Sequence, residues 1–212
     1  MPDWNELFRS PENRWKGTYP AVASFIEKYM QTGHCLTLDL GSGAGRHLVP
    51  LQVNDNRVVG MDFAGNGLEY SRIQLLEKHL PAWLVQADMS FPLPFAGETF
   101  DHLVSIHVIF HNPLSKISAT LNEIYRVLKP GGMALITFNS VYSYRFGKGT
   151  ELEPGTWIPD EGVDQGIVHH FSSFADLASL LEKFKIIRVE LDERNSQGQL
   201  SSHWVVTAQK PF

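Results

Sequence analysis

The residues whose types and spacing can do chemistry begin with Asp39, two positions before Gly41. From there Gly41, Ser42, Gly43, Ala44 and Gly45 complete a D-x-G-x-G-x-G pattern at the end of an apolar run from Cys35 to Leu40. An apolar run that ends in an acidic residue and breaks into alternating glycines predicts a buried strand, a sharp turn and a helix starting at Ala44. Glycine at 41, 43 and 45 permits positive φ and removes Cβ atoms that would hold a ligand off the main chain, while N–H groups at the helix start face outward. A polar, nucleoside-type ligand fits such a place. A dinucleotide fingerprint needs G-x-G-x-x-G, and Arg46 takes its third glycine position, which disfavours a pyrophosphate cradle.

Two further acidic residues fall in register with this turn. Asp62 closes the β-rich run Arg57–Met61 and is placed either to accept hydrogen bonds from two ribose hydroxyls or to cap the next helix. Asp88, with Met89 beside it, follows a third strand expected at 82–86, where it could bond an adenine amino group while Met89 packs on the ring. Histidines supply the remaining chemistry. His107 and His111 follow the fourth strand, and His169-His170 ends an irregular stretch. One of them could deprotonate a hydroxyl, thiol or acid, or all could serve packing and hydrogen bonding. No carboxylate motif accompanies them, and no metal is expected.

The elements that must position these groups read as alternating strands and helices. Val22, Phe25, Ile26, Tyr29 and Met30 give a helix after Pro20; others are expected over 44–53, through Leu68 to His79, and from Asn112-Pro113 through Ile117, Leu121, Ile124 and Leu128. Strands are expected at 100–106 and 133–138, and Ser173 to Asp176 has capping-box form. Residues 186–191 and 203–209, joined by the turn 195–198, alternate as an edge hairpin. Two stretches break the rhythm. The stretch 141–170 interleaves glycines and prolines with Tyr142, Tyr144, Phe146 and Trp157, as a lid or binding insert does. The segment 13–19 carries Trp15 and Tyr19, which either fold over a ligand mouth or dock the terminus on the core.

Composition sets the bounds. The 212 residues are 43% hydrophobic and 19% charged, as in one ordinary globular domain. With 18 basic and 23 acidic residues the net charge is -5, and no Lys/Arg cluster is present to neutralise a phosphate backbone, so nucleic acid is not expected as a partner. Cys35 is the sole cysteine, expected as a small buried residue within the first strand, which leaves neither disulfides nor a thiolate metal site. No apolar run approaches the ~18 residues of a membrane span, and the first ten residues have no apolar stretch, so the expected location is the cytoplasm.

The D-x-G-x-G-x-G turn, Asp62, the series from Asp88 through Pro94-Phe95 to Phe100-Asp101, and Glu123–Gly132 in the form E-x-x-R-V-L-K-P-G-G together resemble the class I S-adenosylmethionine-dependent methyltransferases. The resemblance runs from about 33 to 209. It is nearest to the small-molecule enzymes of the ubiquinone and menaquinone biosynthesis type and of the tellurite-resistance type. It implies an α/β, Rossmann-like, seven-stranded, mostly parallel sheet with helices on both faces and a C-terminal antiparallel hairpin. It also implies a single domain over 1–212, with an N-terminal lid candidate at 1–20 and a substrate-side insert at 140–170. The implied cofactor is S-adenosylmethionine, with S-adenosylhomocysteine as product.

By position, the resemblance implies that Asp39 and the turn of Gly41, Ser42, Gly43 and Gly45 hold the methionine portion and that Asp62 holds the ribose. Phe63 and Met89 would flank the adenine, Asp88 would bond its amine, and Ile106 would lie beneath the sulfonium. His107 is the expected base; Trp15, Tyr19, His111, Tyr144, His169 and His170 are acceptor-side candidates. The implied reaction is in-line methyl transfer to an oxygen, sulfur or nitrogen of a small molecule. Base N-methylation is disfavoured because Ser105-Ile106-His107-Val108 stands where an Asn/Asp-Pro-Pro-aromatic segment would, and base-carbon or arsenic chemistry because Cys35 is alone. Arginine methylation is disfavoured because no glutamate pair lies between Ser105 and Asn122. A different class of reading is a catalytically silent S-adenosylmethionine-binding module, which would fill its acceptor space with Trp15, Tyr144 or Trp157. A nicotinamide oxidoreductase is the third, weakened by Arg46.

Overall fold

The computed structural model describes residues 4–31, 33–162, 164–196 and 198–212. Strands β1 (Leu36–Leu40), β2 (Arg57–Asp62), β3 (Trp83–Gln86), β4 (Phe100–Ser105) and β5 (Leu128–Ser140) pair in parallel in the order β3-β2-β1-β4-β5. Beyond β5 the chain adds β10 (Gln199–Gln209) antiparallel to it, and β9 (Lys185–Ser196) antiparallel to β10. These seven strands form the expected mostly parallel sheet with its antiparallel hairpin. The strand order reverses between β1 and β4, the crevice where ligands of open α/β sheets bind.

Two apolar layers cover the sheet. On one face Leu38, Leu40, Leu103 and Phe138 pack with Ile117, Leu121 and Ile124 of α5 (Leu114–Val127) and Leu177 of α6 (Phe174–Leu180). On the other, Val58, Val104, Leu135 and Val205 pack with Val22 and Phe25 of α2 (Pro20–Tyr29), Leu48 and Leu51 of α3 (Leu48–Leu51) and Leu75 of α4 (Gly65–Glu77). Period-two alternation of strand side chains divides the two sets. A short helix α1 (Trp4–Leu7) lies near α4, with Phe8, Ala44 and Ala64 as a third, small cluster. Ser173 closes the expected capping box with Asp176 at the start of α6.

Four expectations are corrected. The helix expected over 44–53 is only α3, because Gly41, Gly43 and Gly45 take φ of +77°, +52° and +81° and the chain keeps turning. Cys35 precedes β1, half-buried, its N–H bonded to Asn56 Oδ1 at 2.9 Å. The final hairpin is not wholly at the edge: β10 is sandwiched between β5 and β9, which explains its buried Val205, Val206 and Ala208. The stretch 141–170 holds β6 (Thr150–Glu153) and β7 (Thr156–Ile158), and β8 (His169–Ser172) follows. β7 pairs antiparallel with both β6 and β8, and β8 joins the end of β5 through Asn139↔Phe171 and Ser140↔Ser172. Strands of three or four residues are too short to show a period in sequence. Gln197 of the hairpin turn, residues 1–3 of the N-terminal segment and Val163 of the insert lie outside the described residues.

Candidate functional site

The carboxyl ends of β1, β2 and β4 and the segment following β3 open on a cavity of about 640 Å3. Gly41, Ser42, Gly43, Asp62, Phe63, Asp88, Met89 and Ile106 line it, so most of the expected cofactor set is brought together. Asp39 lies beneath the lining, 1% exposed, with Oδ2 unpartnered among the described residues, as is Ser42 Oγ. Burial pushes the Asp39 carboxyl up to about 7, with Arg46 opposing and Asp62 adding to the rise.

The turn is held by the protein itself. Gly41 and Ser42 N–H donate to Met61 O at 2.7 and 3.0 Å, and Gly43 N–H donates to Asp62 Oδ2 at 2.8 Å. Asp62 Oδ1 accepts the Ala64 N–H at 2.8 Å, so this carboxylate holds the residue that precedes α4 as well as facing the cavity. Burial raises the Asp62 carboxyl, and the N–H groups of Ala64, Gly43 and Phe63 oppose that rise. The expectation that the glycines clear space for a ligand is corrected. A Cβ on Gly41 would meet Val108 Cγ1 at 2.3 Å, on Gly43 the Phe8 ring at 2.7 Å, and on Gly45 Ser71 Oγ at 2.6 Å. Close packing of the chain on its own turn requires glycine at these three positions. Gly45 does not line the cavity.

Four histidines, His107, His111, His169 and His203, also line the cavity. His107 follows β4 with φ +60°, its N–H bonded to Thr137 Oγ1 at 2.7 Å and its ring 5.0 Å from Tyr19 and 4.4 Å from His203. His111 lies with ring centroids 4.8 Å from Trp4, 4.5 Å from Phe110 and 4.6 Å from His169. Burial holds His107 and His111 well below the usual histidine range and lowers His203 to about 4, leaving all three neutral at pH 7.

His169 Nε2 stands 3.0 Å from Asp164 Oδ2, which also pairs with Arg145; its Nδ1 lies 3.3 Å from Asn139 Nδ2. Burial raises the Asp164 carboxyl, but hydrogen bonding from His169 and Arg145 outweighs it and holds the group far below the usual carboxylate range. Across the sheet, His203 is the register partner of Asn139 on β5 and of Asp192 on β9, and Ser201 pairs with Arg194 two residues away. Directly opposed residues share a face, so this register lays a polar row along the cavity wall. Tyr19 O–H donates to Asp192 Oδ2 at 2.5 Å, and Arg194 sits 3.3 Å from that oxygen and over the Tyr19 ring.

Of the acceptor-side candidates, Trp15, Tyr19, His111 and His169 line the cavity with His107, whereas Tyr144 and His170 do not. Successive residues of β8 face opposite ways. His170 lies 2.8 Å from Thr156 Oγ1 through Nδ1 and faces a separate groove against α5 and α6. Tyr144 is engaged by Arg145 Nε at 2.9 Å and by Lys148 over its ring. Sequence reasoning missed Asn139, Arg145, Asp164, Asp192, Arg194 and His203, and noted Arg46 only as the residue excluding a fingerprint. His203 and Ser201, polar on one face of an alternating run, carried a signal; Arg145 and Asp164 meet only through the insert's path. Among the described residues no group of three His, Cys, Asp or Glu side chains is arranged to hold a metal ion, and no helix is long and apolar enough to cross a membrane.

A family described as a methyltransferase domain matches residues 38–136. The demethylmenaquinone methyltransferase of Lactococcus lactis subsp. lactis is 27% identical over 195 residues, covering 82% of this chain and 74% of that protein. A tRNA N(3)-methylcytidine methyltransferase of Drosophila melanogaster is 28% identical over 177 residues, covering 76% of this chain and 54% of that protein. The crystal structure of the 1,6-didemethyltoxoflavin-N1-methyltransferase of Burkholderia thailandensis, with bound 1,6-didemethyltoxoflavin and S-adenosylhomocysteine, superposes with a TM-score of 0.70 at 18% identity, over 91% of this chain and 78% of that one. The chain spans only about half the length of some curated relatives, 53% and 54% in two cases. The matched segment runs from β1 into β5, the strands that set the turn and the strand-end carboxylates, and this match, together with the methyltransferase relatives and solved structures, supports a class I S-adenosylmethionine-dependent methyltransferase.

Proposed function

We propose that this chain transfers a methyl group from S-adenosylmethionine to an oxygen, sulfur or nitrogen atom of a small molecule by direct in-line displacement. The observation that carries this reading is the continuity of one cavity, about 640 Å3, from the glycine turn to the histidine cluster. That size falls within the ~300–1,000 Å3 of small-molecule sites.

The residues present fit the cofactor. Asp62 and Asp88 are acceptors for ribose hydroxyls and an adenine amine, Phe63, Met89 and Ile106 offer apolar contact, and buried Asp39 Oδ2 and Ser42 Oγ lack partners among the described residues near the turn. Bound S-adenosylmethionine supplies an electrophilic methyl. The chain aligns an acceptor against it, and His107, adjacent to Ile106 and neutral, takes the proton of an acceptor that arrives protonated. We read the N-terminal segment as cover, since Trp4, Phe8 and Trp15 line the cavity, and the insert as the acceptor wall through Arg145, Asp164 and His169.

A silent module would fill this space. Trp15 instead stands at the lining 52% exposed, and Tyr144 and Trp157 lie outside it, which supports catalysis. A tRNA acceptor is the second reading, favoured by the Drosophila melanogaster relative. The net charge of -5 supports the small molecule over it.

The test is calorimetric titration with S-adenosylhomocysteine, using a reduced nicotinamide dinucleotide as control. Labelled S-adenosylmethionine is then offered with a panel of phenols, thiols, heterocyclic amines and bulk tRNA. Label in a small molecule is the expected result. Label in tRNA selects the second reading, homocysteine-nucleoside binding without transfer selects the silent module, and binding of the dinucleotide alone overturns all three.

A further inference from the structure

The acceptor end of the cavity has a polarity that selects among small molecules. Asp164 Oδ1 and His111 Nδ1 are buried there without a hydrogen-bond partner among the described residues. An ionised carboxylate oxygen only accepts, so a ligand reaching it must donate an N–H or O–H. Leaving such a buried atom unpaired is costly, which makes the donor a requirement for tight binding.

Two of the three arginines that line the cavity are already matched, and the third, Arg46, interacts electrostatically with Asp39 and Tyr19. Arg145 pairs with Asp164, and Arg194 with Asp192 at 3.3 Å. Burial keeps His107, His111 and His203 neutral, so they add no positive charge to receive an anion. A carboxylate or phosphate placed against Asp164 Oδ1 would set acceptor against acceptor, with Arg145 already engaged by that same carboxylate. The walls are aromatic. His111 packs edge-to-face with Trp4 at 4.8 Å and tilted against Phe110 at 4.5 Å, and Tyr19 edge-to-face with His107 at 5.0 Å, a lining of ring faces and edges that suits an aromatic ligand.

From this geometry we infer that the acceptor is an uncharged, planar aromatic or heteroaromatic molecule with a hydrogen-bond donor that reaches Asp164 Oδ1 and His111 Nδ1, and that anionic acceptors are rejected. This rests on the methyl-transfer reading and names its substrate class.

The experiment uses the full chain saturated with S-adenosylhomocysteine and two probes that share one ring system: 2,7-dihydroxynaphthalene and 7-hydroxy-2-naphthoate. Calorimetry should show the diol binding and the carboxylate binding weaker by about tenfold or more. Asp164→Asn keeps the side-chain volume and removes the charge, and should narrow that gap to about threefold or less. His111→Phe keeps a flat ring and removes Nδ1, and should weaken the diol without strengthening the carboxylate, so the site stays tested if the Asp164 variant fails to fold. A carboxylate that binds wild type as tightly as the diol overturns the inference, as does binding of neither probe to the saturated protein. Failure of S-adenosylhomocysteine itself to bind, seen first in the same titration, overturns the underlying reading instead.

Discussion

Gly43 N–H donates to Asp62 Oδ2 at 2.8 Å, and this bond ties the turn after β1 to the end of β2. The carboxylate assigned to the ribose therefore also holds the turn, and through Ala64 the start of α4. Asp62→Ala should weaken S-adenosylhomocysteine binding and also lower stability by about 1–3 kcal/mol, because two N–H groups lose their acceptor. Urea unfolding and calorimetry separate the effects. Full stability in the variant would refute the structural anchor, and unchanged affinity the ribose assignment.

Gly43 has φ +52°, and a methyl there would run into the Phe8 ring. Gly43→Ala should cost about 1–2 kcal/mol from left-handed backbone alone, with the displaced ring adding to it. Combined with Phe8→Ala, the glycine substitution should cost less than it does singly, and a double-mutant cycle by thermal unfolding reads that coupling. Strict additivity would show that the ring can step aside freely.

His47 is 4% exposed, its Nε2 accepts the Tyr19 N–H at 3.3 Å, and burial, with Arg46 assisting, lowers its titration to about 3. A histidine lowered in the folded state binds its proton first in the unfolded chain. Its contribution is complete above about pH 6.5 and is lost as pH falls toward about 3, at up to about 1.4 kcal/mol per pH unit. Stability of His47→Gln, followed by denaturant between pH 7 and pH 4, should therefore decline less steeply than that of wild type. Parallel pH profiles would remove His47 from the acid response.

His107 occupies the left-handed region, which asparagine tolerates better than alanine. With an acceptor from the screen, His107→Asn should reduce turnover by about 10²–10⁴ while S-adenosylhomocysteine affinity holds. Because burial lowers this histidine, the acid limb of kcat/KM in wild type should fall below pH 6.5. Retained turnover, or an acid limb above that value, would rule out His107 as the base.

The end of the cavity that we propose for the cofactor was legible because its parts are local. Asp39, next to last in β1, and Asp62, at the end of β2, sit on strands that the apolar runs announce, and the resemblance added the expected roles of Phe63, Met89 and Ile106. The helix start at Ala44 was misread for an equally local reason: three positive-φ glycines prolong the turn, and their torsions reflect packing against Phe8, Ser71 and Val108. Those partners come from distant parts of the chain.

By itself the sequence determined the alternation of strands and helices, the turn, and the carboxylates at the strand ends, since period, glycine spacing and capping act over a few residues. Tertiary structure decided the acceptor end. Which of His169 and His170 faces the cavity depends on how β8 docks on β5, and a slip of one residue would exchange them. Asn139, His203 and Asp192 meet through the register of three strands, and Asp164 reaches Arg145 and His169 through the fold of the insert. Such pairings are fixed by the burial of whole sheet faces, a collective quantity that no short window of sequence contains.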